Sequence, residues 1–203
     1  MGKNSKKAIK SNGITFDEFS IEGGKTVNLN KLEANFLEKD IYKAAHEGLV
    51  IACHDVFINY DGKILLVYRD NFPAKNHLWP IGGRLLKGVP AEFSLRKKVY
   101  DECGLFLEDI KFLDVDRTLF KTDPFNHGKG TDSLNLVYYA KGSGKIKLDD
   151  LHKEPTLVGI GEYLSLRKSL HPYVKQHMDF LWSQGDCHID PEKISSMEWG
   201  KKL

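Results

Sequence analysis

The sequence predicts a mixed α/β domain on three observations: a hairpin pattern between Leu49 and Arg69, a glycine-rich loop entering an amphipathic helix between Gly82 and Leu105, and later strand patterns closed by a helix. Residues 1–35 mix Lys, Gly, Asn and Glu without sustained periodicity and read as a tail and an irregular arm. From Phe36 to His46 the spacing Phe-Leu-x-x-x-Ile-Tyr-x-x-Ala predicts a short amphipathic helix. Leu49 to Ile58 is apolar and β-branched, a buried strand. Asn59-Tyr60-Asp61-Gly62 carries an Asp-Gly turn signal, so Lys63 to Arg69 returns as the partner strand.

Residues 71–88 hold Pro73, Pro80, Gly82, Gly83 and Gly88, a loop composition with Trp79 close to the double glycine. Pro90 can open a helix and Gly104 can close it, with Ala91, Leu95, Val99 and Cys103 as the apolar stripe. Phe112–Phe120 and Leu134–Ala140 read as strands joined by a loop at Thr122–Asp132, and a further strand is expected near Leu157–Leu164. A last helix covers Pro172 to Ser183. The domain therefore spans 36–184, between extensions at 1–35 and 185–203.

A chain of 203 residues with 41% hydrophobic and 29% charged residues suits one folded domain. Its net charge of +2 makes whole-molecule attraction to nucleic acid or anionic lipid weak, so any anion site must be a local arrangement of basic residues; composition excludes neither partner, and none of either kind is expected. Cys53, Cys103 and Cys187 are an odd set without a C-x-x-C pair, which argues for reduced thiols in a cytoplasm. Cys53-His54 and Cys187-His188 lack the four-ligand spacing of a structural zinc. The charged start has no apolar signal core and no apolar run reaches membrane length, so a soluble, unanchored protein is expected.

Residues three and four apart share a helix face, so Lys98, Asp101 and Glu102 project together. The Gly82-Gly83 turn lets backbone groups approach a ligand. A main-chain carbonyl with carboxylates is a hard oxygen site suited to magnesium. For an isolated charge run the plainer reading, a solvated helix face, would win; the spacing changes that balance.

The segment Trp79-Pro-Ile-Gly-Gly-Arg-Leu-Leu-Lys-Gly, then Ala91-Glu-Phe, then Asp101-Glu-Cys-Gly-Leu, resembles the Nudix box, with Gly83, Asp101, Glu102 and Gly104 in register. The resemblance implies an α/β/α sandwich with a central mixed sheet, the box forming its loop-helix-loop. Val89 stands where that family has its first glutamate, Lys97 replaces the arginine, and Lys98 replaces a glutamate that binds metal or serves as base. From Phe36 to beyond His152 the chain is similar to the GDP-mannose mannosyl hydrolase branch, which already has a reduced box.

That likeness implies metal ligands at Gly82 and Glu102, with Asp101 completing the acidic pair, and substrate contacts at Asp55, Arg69 and Arg84. Its general base corresponds to His152, in Leu148-Asp-Asp-Leu-His152, with Leu151 in place of a metal-binding glutamine. His127 is a rival base; Trp79 and Phe72 can stack or pack, and Tyr138 or Tyr139 can face the ligand.

The implied activity is hydrolysis of a nucleoside-diphosphate sugar resembling GDP-mannose, dependent on Mg²⁺ or Mn²⁺. Water attacks the anomeric carbon, His152 takes its proton, and Arg69, Arg84 and Lys98 face the departing diphosphate. The rival readings are a non-catalytic module binding a nucleotide or nucleotide sugar, and a pyrophosphohydrolase acting at phosphorus. A homodimer is compatible with either.

Overall fold

The computed structural model describes residues 15–18 and 37–184; the expected tail and the extension at 185–203, with Cys187 and His188, lie outside the described residues except for 15–18. In chain order the elements are α1 (Lys39–Gly48), β1 (Ile51–Tyr60), β2 (Lys63–Arg69), β3 (Leu78–Trp79), β4 (Ile81–Arg84), α2 (Ala91–Cys103), β5 (Phe106–Phe120), β6 (Thr131–Ser143), β7 (His152–Val158), α3 (Ile160–Leu166) and α4 (Pro172–Ser183). The β1–β2 turn places Asp61 at φ 52° and Gly62 at φ 80°, the double left-handed geometry that an Asp-Gly hairpin requires. Helix α2 ends at Gly104 in the left-handed region, with its N–H on Tyr100 O at 2.9 Å.

All seven strands form one mixed sheet with the path β3-β2-β1-β6-β5. β1 and β6 run parallel, while β5–β6, β1–β2 and β2–β7 are antiparallel. Alternation along the strands feeds an apolar layer on each face. One layer joins Phe57, Ile64, Leu66 and Tyr139 to Tyr163, Val174, Met178 and Trp182 of α3 and α4. The other joins Val56, Leu65 and Tyr138 to Leu95, Val99 and Cys103 of α2. The result is the α/β/α sandwich with a central mixed sheet that the sequence implied.

Two stretches differ from expectation: the segment 71–88, read as loop, contains β3 and β4, which the sheet recruits by pairing them with β2 and β1, and the strand expected further on is placed differently. The strand read at Leu157–Leu164 is the end of β7 followed, after Gly159, by α3, whose Glu162 carboxylate accepts the Gly159 N–H at 3.1 Å. β7 starts upstream in the polar run His152-Lys-Glu-Pro, where pairing with β2 shifts register between Leu66 and Tyr68. Glu154 there is at φ 47°, and Pro155 has no N–H for the ladder, so local patterning hid the strand.

The fold positions the site by splitting strand pairs. β1 pairs with β2 only over Ile58–Tyr60; its earlier half, Cys53–Val56, pairs instead with Arg84–Ile81 of β4. β2 meanwhile continues beside β7 to Arg69, opposite His152. Asp55 and Arg69 therefore face a common opening where the two strands have parted.

Candidate functional site

The opening is a cavity of about 240 Å³ lined by His46, Asp55, Arg69, Trp79, Arg84 and Asn135, among others. A neighbouring cleft of about 450 Å³ runs along α2 past Lys98, Asp101, Glu102 and Asp149. Tyr42 and Arg84 line both, and the Arg84 guanidinium lies 4.3 Å above the Tyr42 ring, so this cation–π pair forms the wall between them.

Asp55 is buried, at 5% exposure, which settles against an outward-facing aspartate. Its Oδ2 accepts the Tyr173 hydroxyl at 2.6 Å. Burial pushes the Asp55 carboxyl up to about 6; the Tyr173 hydrogen bond and Arg69 pull it down, and the negative charges of Glu102 and Asp116 add to the rise. Gly82 sits opposite Asp55, and a Cβ there would collide with the Asp55 Oδ1 and the His54 carbonyl. This glycine is required by close approach rather than by backbone freedom. Gly83, at φ 149°, leaves room for the Lys98 side chain, whose Cε would lie 2.9 Å from an added Cβ.

Cys53 and His54 point to opposite faces, so they form no joint metal pair. Burial lifts the Cys53 thiol to about 12, which keeps it protonated. His54 Nε2 pairs with Ser94 Oγ at 2.8 Å under α2, and burial drives it down to about 4.

The chemistry-bearing cluster forms where the end of α2 meets the turn before β7. Asp149 N–H donates to Glu102 O, and Lys147 N–H to Cys103 O, both at 2.9 Å, which pins that turn to the helix terminus. Ligand atoms of Glu102, Asp149 and His152 then lie within 4.8 Å of one another. Asp149 Oδ1 accepts from His152 Nδ1 at 2.7 Å and from the Leu151 N–H at 3.0 Å. This fixes the proton on Nδ1 and leaves the Nε2 lone pair 3.9 Å from Glu102 Oε2. Glu102 Oε1 is held by Lys98 Nζ at 2.7 Å, but Oε2 is buried without a hydrogen-bond partner among the described residues. Burial raises the Glu102 carboxyl, against the lowering effect of Lys98 and His152.

Two hard carboxylates, one with an orphaned oxygen, beside an imidazole are a donor set that fits a magnesium or manganese ion. An orphaned buried carboxylate oxygen is costly unless a cation or water completes it.

The structure brings together Glu102 and His152 on one side, and Asp55, Arg69 and Arg84 on the other. Asp101 stands apart from the cluster: it lies on the exposed flank of α2, paired with Lys97 Nζ at 2.7 Å. Arg69 is half-buried, with its Nε buried and without a hydrogen-bond partner among the described residues and its Nη2 on Asn71 Oδ1 at 3.1 Å. Trp79 and Phe72 both line the cavity, though Trp79 also stacks on Tyr173 with ring centroids 5.1 Å apart. Tyr138 and Tyr139 are both packed into the core, one on each face of the sheet. The residues that sequence reasoning missed are Asp149, Tyr173 and His46. Asp149 stood in the quoted Leu148–His152 stretch, three residues before the histidine; the other two carried no local signal.

No family model matches the chain. The curated relative Low-salt glycan biosynthesis protein Agl8 of Haloferax volcanii is 22% identical over 144 residues, covering 70% of this chain and 88% of its own length. Among solved structures, the MutT protein of Methanosarcina mazei Go1 superposes with TM-score 0.52 at 16% identity, covering 67% of this chain and 95% of that one. A Nudix hydrolase of Nitrosomonas europaea gives TM-score 0.52 at 19% identity over 64% of this chain and 87% of its own. A bifunctional NMN adenylyltransferase/ADP ribose pyrophosphatase of Francisella tularensis gives 0.52 at 15% identity over 71% of this chain but only 44% of that protein. The chain has the fold of the Nudix hydrolases.

Proposed function

We propose that the chain is a divalent-metal-dependent hydrolase of a nucleoside-diphosphate sugar, in which water attacks the anomeric carbon. The observation that carries this reading is the buried Glu102 Oε2, without a hydrogen-bond partner among the described residues and 3.9 Å from a His152 Nε2 whose ring is oriented by Asp149. Glu102 and Asp149, with the Gly82 carbonyl that the resemblance implies, would hold Mg²⁺ or Mn²⁺, which supplies positive charge against the departing diphosphate. Asp101, flanking the cleft and tied to Lys97, is the weaker candidate ligand.

His152 Nε2 accepts a proton from water as the water oxygen bonds to the sugar carbon. The carbon–oxygen bond to the β-phosphate breaks, and its electron pair leaves with the nucleoside diphosphate. Asp149 stabilises the imidazolium that results. Arg69 and Arg84 grip phosphate oxygens in pairs, while Lys98 adds a point charge. Asp55 accepts from a ligand hydroxyl. Attack at carbon is favoured over attack at phosphorus because Val89 and Lys98 stand where box carboxylates would be.

The name of the Francisella protein, ADP ribose pyrophosphatase, agrees with a nucleoside-diphosphate ligand and speaks for the rival attack at phosphorus, while the Haloferax relative is named for glycan biosynthesis. GDP-mannose is the first sugar nucleotide to test. The Lys98–Glu102 ion pair favours a second reading, binding without turnover, because an ammonium already offsets part of the Glu102 charge.

Incubation with nucleotide sugars and Mg²⁺ in heavy-oxygen water separates these readings. Label in the sugar is the expected result; label in phosphate would replace it with a pyrophosphohydrolase, and binding without release would leave a module. Glu102→Gln abolishes metal-dependent turnover and His152→Ala slows it with binding retained; unchanged rates in both would remove these residues from the mechanism.

A further inference from the structure

A second histidine lines the 240 Å³ cavity away from the Glu102 cluster, and its surroundings specify its proton. His46, near the end of α1, is 6% exposed and its Nδ1 lies 2.9 Å from His127 Nε2. The Lys129 backbone N–H donates to His127 Nδ1 at 3.1 Å. A backbone amide can only donate, so Nδ1 of His127 carries the lone pair and Nε2 carries the hydrogen. That Nε2–H then donates to His46 Nδ1, which leaves the His46 hydrogen on Nε2.

Asp123 does not compete for this arrangement. It is 3.5 Å from His127 Nδ1, beyond a good hydrogen bond, and its oxygens already accept the backbone N–H groups of Phe125, His127 and Gly128 at 2.9, 3.0 and 3.0 Å. It fixes the loop, and the loop fixes His127. Burial lowers the His46 pKa, the neighbouring His127 lowers it further and Asp123 opposes, which favours the neutral ring that the hydrogen bonds specify. Tyr42 and Phe125 enclose the ring with edge contacts at 6.2 and 5.4 Å. Among the described residues His46 Nε2 has no protein partner.

We infer that His46, held by His127 as the neutral Nε2–H tautomer, is a specificity residue that donates one hydrogen bond to an uncharged acceptor on the nucleobase of the bound nucleoside diphosphate. The inference rests on the ligand class proposed above. A neutral donor is a poor partner for phosphate beside two arginines, whereas the aromatic walls at Trp79, Phe120 and Phe125 suit a planar ring with a carbonyl or ring nitrogen on its edge. His127 acts through His46 and is a positioning residue.

The test combines nitrogen-15 NMR of the imidazoles with calorimetric binding of GDP, ADP, UDP and CDP to the full chain in the presence of Mg²⁺. At pH 7 the expected spectrum shows His46 as the Nε2–H tautomer, mixed in His127→Phe. The tightest of the four nucleotides binds about tenfold more weakly to His46→Phe, and within about threefold of wild type to His46→Gln, whose amide still donates. An Nδ1–H or charged His46 in the wild type overturns the inference. Equal binding by wild type and His46→Phe also overturns it, leaving the proposed substrate class standing. Binding of none of the four nucleotides by the wild type overturns both.

Discussion

Replacing Asp55 by asparagine tests whether this fold carries a carboxylate that its own packing disfavours. In the folded protein the Asp55 carboxyl is pushed up to about 6, mainly by burial, against about 3.9 in an unfolded chain. The folded state therefore holds a proton that the unfolded state has released throughout that interval, and stability falls as pH rises through it. About two pKa units correspond to about 3 kcal/mol in full, of which about 2 kcal/mol is lost by the wild type on going from pH 4 to pH 7 and is absent in Asp55→Asn. His54 works with the opposite sign in the same range: held down to about 4, it removes stability as pH falls below about 6.5. The wild-type profile alone thus conceals Asp55, and the difference between the two proteins reveals it. Urea unfolding at pH 4.5 and 7.5 should give a variant gaining about 2 kcal/mol on the wild type between the two pH values, with weaker nucleoside-diphosphate binding. A constant offset between the two proteins at both pH values would refute the reasoning.

Further perturbations address the site's supports. Gly82→Ala, which drives a methyl group into Asp55 and the His54 carbonyl, should lower stability by about 2–4 kcal/mol in chemical denaturation; a wild-type midpoint would contradict the close approach. Lys98→Met strips the ion-pair partner from Glu102, whose side chain is 8% exposed, and should cost about 1–3 kcal/mol, discounted because the Lys98 side chain is 34% exposed. Melting temperature should then respond to added Mg²⁺ more strongly in Lys98→Met than in the wild type, and an identical response would argue against a cation at Glu102. Asp149→Asn, which disturbs the tautomer of His152 and removes a carboxylate from the proposed cation site, should lower kcat about a hundredfold at saturating Mg²⁺ with KM for the nucleotide sugar little changed, whereas a purely structural role would move the melting temperature instead.

Local chemistry made much of the scaffold readable in one dimension. The Asp61-Gly62 turn, the limits of β2, the Pro90 and Gly104 ends of α2 and the whole of α4 follow from backbone preferences and short-range periodicity, which act between neighbours in sequence. The same reasoning placed Asp101 beside Glu102 as a metal pair, because helix spacing says which residues share a side but not which neighbour the rest of the fold brings close. The structure puts Asp149 and His152 against Glu102 by hydrogen-bonding a distant turn to the end of α2, and leaves Asp101 with Lys97. Likewise Tyr173 reaches Asp55 across 118 residues, and His46 meets His127 across 81. Burial, orphaned donors and pKa shifts arise from those long-range encounters. The sequence by itself determined the β1–β2 hairpin, the glycine-rich loop and the helices α2 and α4; only tertiary packing decided the short strands β3 and β4, the start of β7 and which side chains are desolvated together, and that desolvation sets their charge and chemistry.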